Sequence, residues 1–193
     1  LTAAVMADFG LDGVEIAERS IVVPAGRYRP TDVDVEPDCS SASYPWACAA
    51  VRGGTVTVRG VTRDARQGDI AIVDLLAAMG CTIDESPAGL TVQRDRDVAL
   101  VGLTADLHDV SDLVPTIAAV ATLATTSSDL AGVGFIRAKE SDRLGDLAGE
   151  LNRLRAAVTV TADGLHVEPV GELRGATLDP HHDHRLAMAF AVV

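Results

Sequence analysis

Lys139-Glu140-Ser141-Asp142-Arg143 sets two cations and two acids in five residues, directly before an amphipathic segment. Lys and Arg at a helix start suit a small anion, and the carboxylate between them can move a proton. Asp183-His184-Arg185 opens the last helical segment in the same way. Asp112 precedes an apolar run at Leu113-Val114-Pro115. Each cluster also has a plainer reading. Glu140 and Arg143 stand three apart and can form a solvated ion pair along a helix. Ser141-Asp142 can be ordinary caps. Asp112 can be an N-cap, with Pro115 in the first turn, and Asp109 competes with it for any chemical role.

Two further clusters suggest other chemistry. His181-His182-Asp183-His184-Arg185 has the side-chain types of a metal site. Adjacent residues point in different directions, however, and no distant His or Cys has matching spacing, so a capped helix start with His184 and Arg185 facing a cleft is preferred. Asp38-Cys39-Ser40-Ser41-Ala42-Ser43-Tyr44 can be read as a phosphate loop, but it lacks glycine and the lysine of a P-loop. A capped helix start again fits better. Gly53-Gly54 and Gly132-Val133-Gly134 read as turns.

The whole chain opposes a nucleic-acid partner. It has 193 residues, with 16 basic and 28 acidic side chains and a net charge of −12. An anionic substrate must therefore be held by local cations and backbone N–H groups. Apolar residues make up 48% and aromatic ones 3%, so the core must be Ala, Val, Leu and Ile. Cys39, Cys48 and Cys81 are odd in number and lack metal-ligand spacing, as reduced thiols of a cytosolic protein would. The apolar run 114–124 is too short to span a bilayer, and no signal peptide is visible. Residues 1–10 read as a helix end stopped by Gly10, and 186–193 as a helix start without an exit. We therefore expect a piece of a longer protein.

The positioning elements repeat. Helix, tight stop, strand, turn and strand are expected at 3–10, 14–17 and 20–24; at 70–80, 81–84 and 89–94; and at 142–155, 157–161 and 164–168, roughly 70–75 residues apart. A second unit interleaves: a strand, an Asp-bearing loop, then a helix apolar nearly all round. It is expected at 33–36 and 42–51, at 98–104 and 114–124, and at 176–178 and 186–193. The fold class is thus α/β (α+β), in repeats of strand-helix-strand-helix-strand-strand with buried apolar helices. Three of those helix starts gathered at one end would form an anion-favouring region.

Asp38 to Tyr44, Gln67-Gly68-Asp69, Asp112-Leu113-Val114-Pro115-Thr116, Arg137-Ala138-Lys139-Glu140-Ser141-Asp142-Arg143 and Asp183-His184-Arg185-Leu186-Ala187-Met188-Ala189-Phe190 resemble, in order, the motifs of the EPSP synthase (3-phosphoshikimate 1-carboxyvinyltransferase) family. The resemblance covers the whole chain. It implies a two-domain monomer of about twice this length, each domain holding three such repeats. Residues 1–34 would be the tail of the continuous, shikimate-binding domain, and 35–193 most of the other.

It also implies a cytoplasmic transferase that joins shikimate 3-phosphate to phosphoenolpyruvate and releases phosphate, with no metal or organic cofactor and no nucleic-acid or membrane partner. By resemblance, Asp112 looks like the carboxylate that contacts the shikimate ring and accepts its proton. Lys139 looks like a shikimate 3-phosphate ligand, and Glu140 like the acid–base group near the methylene carbon. Arg143 and Arg185 look like phosphoenolpyruvate ligands, with His184 beside them.

The chain departs from the family at three places, one of them Cys39 in place of a commoner alanine. Phe135 stands where a polar residue often touches the shikimate phosphate, and Arg155 where a helix-ending glycine is usual. Other motifs of the family are absent, so the chain alone is expected to be inactive. The rival readings are a non-catalytic protein on the same fold and, further off, a UDP-N-acetylglucosamine enolpyruvyl transferase, which lacks this combination of motifs.

Overall fold

The computed structural model describes all 193 residues, which divide into two compact units, Leu1–Glu36 and Pro37–Val193. The first unit holds helix α1 (Thr2–Asp8) and a hairpin of β1 (Glu15–Ala17) and β2 (Ser20–Val22). None of its helical residues is buried, although Phe9 and Tyr28 meet edge to face.

The second unit begins with α2 (Cys39–Arg52) and β3 (Gly54–Arg59). Then follow α3 (Ile72–Ala78), β4 (Thr82–Ser86), β5 (Gly89–Arg94) and β6 (Thr104–Asp106). The chain goes on through α4 (Val114–Ala121), β7 (Ser128–Ala131), α5 (Arg143–Arg153), β8 (Ala157–Val160), β9 (Leu165–Glu168) and α6 (His184–Phe190).

The repeat is visible in the strand order. β3, α3, β4 and β5 give an antiparallel sheet ordered β3-β5-β4. β7, α5, β8 and β9 repeat that order as β7-β9-β8. β6 joins β7 in parallel, which requires a crossover, and α4 supplies it.

The expected leading strands are mostly missing. Residues 33–36 and 176–178 form no strand, and the one expected at 98–104 is reduced to Thr104–Asp106. Val35 at 90% exposed has no sheet to bury it, so its apolar character does not make a strand.

Burial sorts the helices. All eight residues of α4 are buried, as are eight of α2, including Trp46, whose Nε1 donates to the Leu90 carbonyl at 3.3 Å. The expectation that all three apolar helices are buried fails for α6, which buries Leu186 and Ala189 and leaves Met188 exposed. Its packing against α4 and α5 covers one side only. The amphipathic α5 buries Leu144, Leu147, Ala148 and Leu151 and turns polar groups outward, the pattern of a helix lying on a core. Cys39 and Cys81 are buried and Cys48 is half-buried, none of them in a disulfide; burial pushes the Cys81 thiol up to about 11.

Candidate functional site

The starts of α2, α4, α5 and α6 meet through their side chains. Three of them are capped as expected: the Asp38 carboxylate accepts from the Ser40 N–H at 2.9 Å, the Asp142 carboxylate from the Gly145 N–H at 3.1 Å, and Asp183 caps α6. Asp183 accepts from the Arg185 N–H at 2.8 Å. At α2 the Cys39 N–H also donates to Gln67 Oε1. Those free N–H groups are thus satisfied by the chain's own side chains, which is the capping reading of residues 38–44 rather than the phosphate-loop reading. Ser43 and Thr116 hydroxyls, 3.2 Å apart and buried, tie α2 to α4.

Asp112 departs from the capping reading. The helix α4 is preceded by Leu113 and has no side-chain cap. The Asp112 carboxylate instead faces three cations: Arg185 Nη2 at 2.8 Å, Arg143 Nη1 at 3.1 Å and Lys139 Nζ at 3.6 Å. A 3₁₀ turn over His108–Leu113 leads into α4. Asp109, the competing candidate, is exposed and has no part in the ion-pair cluster.

Arg143 is the centre of the cluster. Its side chain is fully buried, and each guanidinium nitrogen reaches a different carboxylate: Nε to Asp183 at 2.8 Å, Nη1 to Asp112, and Nη2 to Glu140. The i,i+3 pairing of Glu140 and Arg143 therefore forms, but the solvated-pair reading fails because Arg143 is inside. A guanidinium buried this way persists only when its donors are matched. Asp183 is matched too. Burial opposes its charge, but the Arg143 hydrogen bond and the Arg185 N–H hold its carboxyl below the usual carboxylate range.

The remaining groups stand around this centre. Arg185 is 17% exposed, and Lys139 and Glu140 are more open. Asp38 is held below the usual carboxylate range chiefly by the Ser41 hydroxyl, against burial, with the Arg185 charge also contributing. Burial pushes the Tyr44 phenol up, partly offset by Arg185 beside it. Three cations against three carboxylates make a compact, nearly neutral patch, able to bind a multiply charged anion by exchange of ion pairs. Carboxylates stand within reach to handle protons.

The structure brings Asp112, Lys139, Glu140, Arg143 and Arg185 into one ion-pair cluster. His184 is exposed and outside the ion-pair cluster. Asp183 and Tyr44 were legible only as a cap and a motif member, and neither signal pointed to its arginine. No group of His, Cys, Asp and Glu side chains is arranged to hold a metal.

The same residues can be compared with known proteins. The family model for EPSP synthase (3-phosphoshikimate 1-carboxyvinyltransferase) matches residues 1–193. The chain belongs to the EPSP synthase family. It is 43% identical over 193 residues to the 3-phosphoshikimate 1-carboxyvinyltransferase of Methanosphaerula palustris and 42% identical to that of Nostoc punctiforme. Both matches cover 100% of this chain and 45% of the relative, so the chain spans less than half the length of these EPSP synthases. Among solved structures, EPSP synthase from Acinetobacter baumannii superposes with a TM-score of 0.77 at 28% identity, covering 97% of this chain and 46% of that one. The EPSP synthase fold therefore accounts for the repeated units described above.

Proposed function

We propose that the protein carrying this chain transfers the enolpyruvyl group of phosphoenolpyruvate to the 5-hydroxyl of shikimate 3-phosphate and releases phosphate. The observation that carries this reading is the convergence of Lys139, Arg143 and Arg185 on Asp112, with Glu140 on the other side of Arg143. Membership of the EPSP synthase family supports it.

The roles are those that the family resemblance implies. Arg143 and Arg185 take the phosphate and carboxylate of phosphoenolpyruvate, with His184 flanking them. Lys139 and Asp112 take shikimate 3-phosphate. Asp112 accepts the proton of the 5-hydroxyl as its oxygen bonds to the enol carbon, and Glu140 protonates the methylene carbon. The tetrahedral adduct then loses phosphate as the methyl group returns its proton. Fixed cations around the phosphate lower both barriers without reorganisation.

In this reading the protein works as a cytoplasmic monomer without metal or organic cofactor. Residues 1–34 end the continuous domain and 35–193 make most of the other. No helix is long and apolar enough to cross a membrane.

The test is a phosphate-release assay with both substrates on the longest polypeptide that carries this chain. One phosphate per enolpyruvyl group is expected, lost in Glu140→Ala and Asp112→Ala. Phosphate release that does not need shikimate 3-phosphate would overturn the reading, as would no release at all.

A further inference from the structure

Glu150 lies outside the cluster just described, yet it is 7% exposed, an uncommon place for a carboxylate. It sits on α5 seven residues after Arg143, on the same face two turns along. One oxygen accepts from the Asp179 N–H at 2.9 Å, and the other meets Arg153 at 3.3 Å and His181 Nε2 at 3.5 Å. Asp146, on the same stripe, stands 3.9 Å from the other His181 nitrogen. Burial opposes the charge of Glu150, but the Asp179 N–H and the Arg153 charge keep its carboxyl below the usual range.

Apart from Arg153, these partners lie in one segment, residues 179–183, which feeds directly into Arg185. That segment is held in an uncommon backbone shape. His181 and His182 have φ of 51° and 59°, two successive left-handed residues that are not glycine. Such conformations persist only where their surroundings over-determine them. Here two local bonds help, from the His181 N–H to Asp179 Oδ1 and from the Asp183 N–H to the Pro180 carbonyl, both 2.8 Å. Neither ties the segment to the rest of the fold. That is done from α5: Arg143 grips Asp183 at the far end, Glu150 grips Asp179 and His181 at the near end, and Asp146 stands against His181 between them.

We propose that Glu150 is a positioning residue: from one face of α5 it clamps the 179–183 turn, and through it sets where Asp183 and Arg185 stand in the anion site. The clamp is independent of the reaction. Only its consequence for phosphoenolpyruvate rests on the proposed function.

Two readouts on Glu150→Gln test this, with Arg153→Gln as the control that removes a Glu150 contact without touching the turn. The substitution keeps side-chain volume and one acceptor. In the 193-residue chain, hydrogen exchange by NMR should quicken by about tenfold or more at the Asp179 and His181 amides and at the Arg143 Nε–H, while amides of β5 and β9 stay as they were. In the phosphate-release assay, KM for phosphoenolpyruvate should rise by about tenfold to a hundredfold with kcat and the KM for shikimate 3-phosphate little changed. Arg153→Gln should do neither. Exchange that quickens evenly over the whole chain, or not at all, overturns the clamp. Local quickening with an unchanged KM overturns its role in setting Arg185. If the parent protein shows no transfer, the exchange readout still decides the clamp, and the proposed function fails separately.

Discussion

Arg143 and Asp183 meet at 2.8 Å with both side chains fully buried, joining the first turn of α5 to the cap of α6. This pair brings together segments that are 40 residues apart in the chain. It also fixes the guanidinium so that its two outer nitrogens face Asp112 and Glu140. The same carboxylate caps α6 through the Arg185 N–H, so one buried acid orients both arginines of the site.

Asp183→Ala should cost about 3–5 kcal/mol, because it strands a buried cation. Replacing Arg143 and Asp183 together by apolar residues of similar volume should restore much of the stability while abolishing anion binding. Urea unfolding of the single and double variants checks both.

The depressed pKa of Asp183 sets an acid limit on stability. A carboxyl whose folded pKa lies below its unfolded value of about 3.9 stabilises the fold above that pH and loses the contribution as pH falls through the folded value. The midpoint of urea unfolding should fall as pH drops below about 4, and Asp183→Asn should flatten that slope.

Asp112→Asn leaves Lys139, Arg143 and Arg185 short of one negative charge. Inorganic phosphate should then bind this chain more tightly, by roughly tenfold or about 1.4 kcal/mol, though transfer is lost. Calorimetric titration of the two proteins measures it, and equal or weaker binding by the variant counts against the assignment.

His166 on β9 holds Asp129 at 2.7 Å and Glu168 at 2.8 Å. The Glu168 and Asp129 hydrogen bonds raise its pKa. A histidine raised in the fold stabilises it fully below its unfolded pKa of about 6.5, and that contribution disappears as pH rises through the folded value. Proton NMR should place the His166 midpoint above 6.5. His166→Gln should remove part of the stability loss seen as pH rises above about 6.5.

Arg155 ends the turn after α5 with φ of 64°, and its N–H donates to the Asn152 carbonyl at 3.0 Å. The left-handed shape is kept although the residue is not glycine. Arg155→Gly should therefore raise stability by up to about 1 kcal/mol, less what the freer unfolded chain takes back. The urea midpoint measures this.

Much of the fold was legible because its signals are local. The apolar run of α4, the Asp caps of α2, α5 and α6 and the alternation in β5 and β9 depend on neighbours a few residues away. The leading strands were misread for the opposite reason. Residues 33–36 and 176–178 have strand-like composition, but a strand exists only when another strand takes up its hydrogen bonds, and here none does.

The site divides in the same way. From sequence alone came the helix starts that carry Lys139, Glu140, Arg143 and Arg185, their capping acids and the Glu140–Arg143 pair at i,i+3. Only the tertiary structure decided that Arg143 is buried, that Asp112 serves three cations rather than a helix end, and that Glu150 turns inward to the 179–183 turn. Spacing along a helix fixes contacts within a turn or two. Ion pairs between Arg143 and residues 31 and 40 positions away depend on how the helices pack, and the desolvation that gives those pairs their strength exists only once packing is complete.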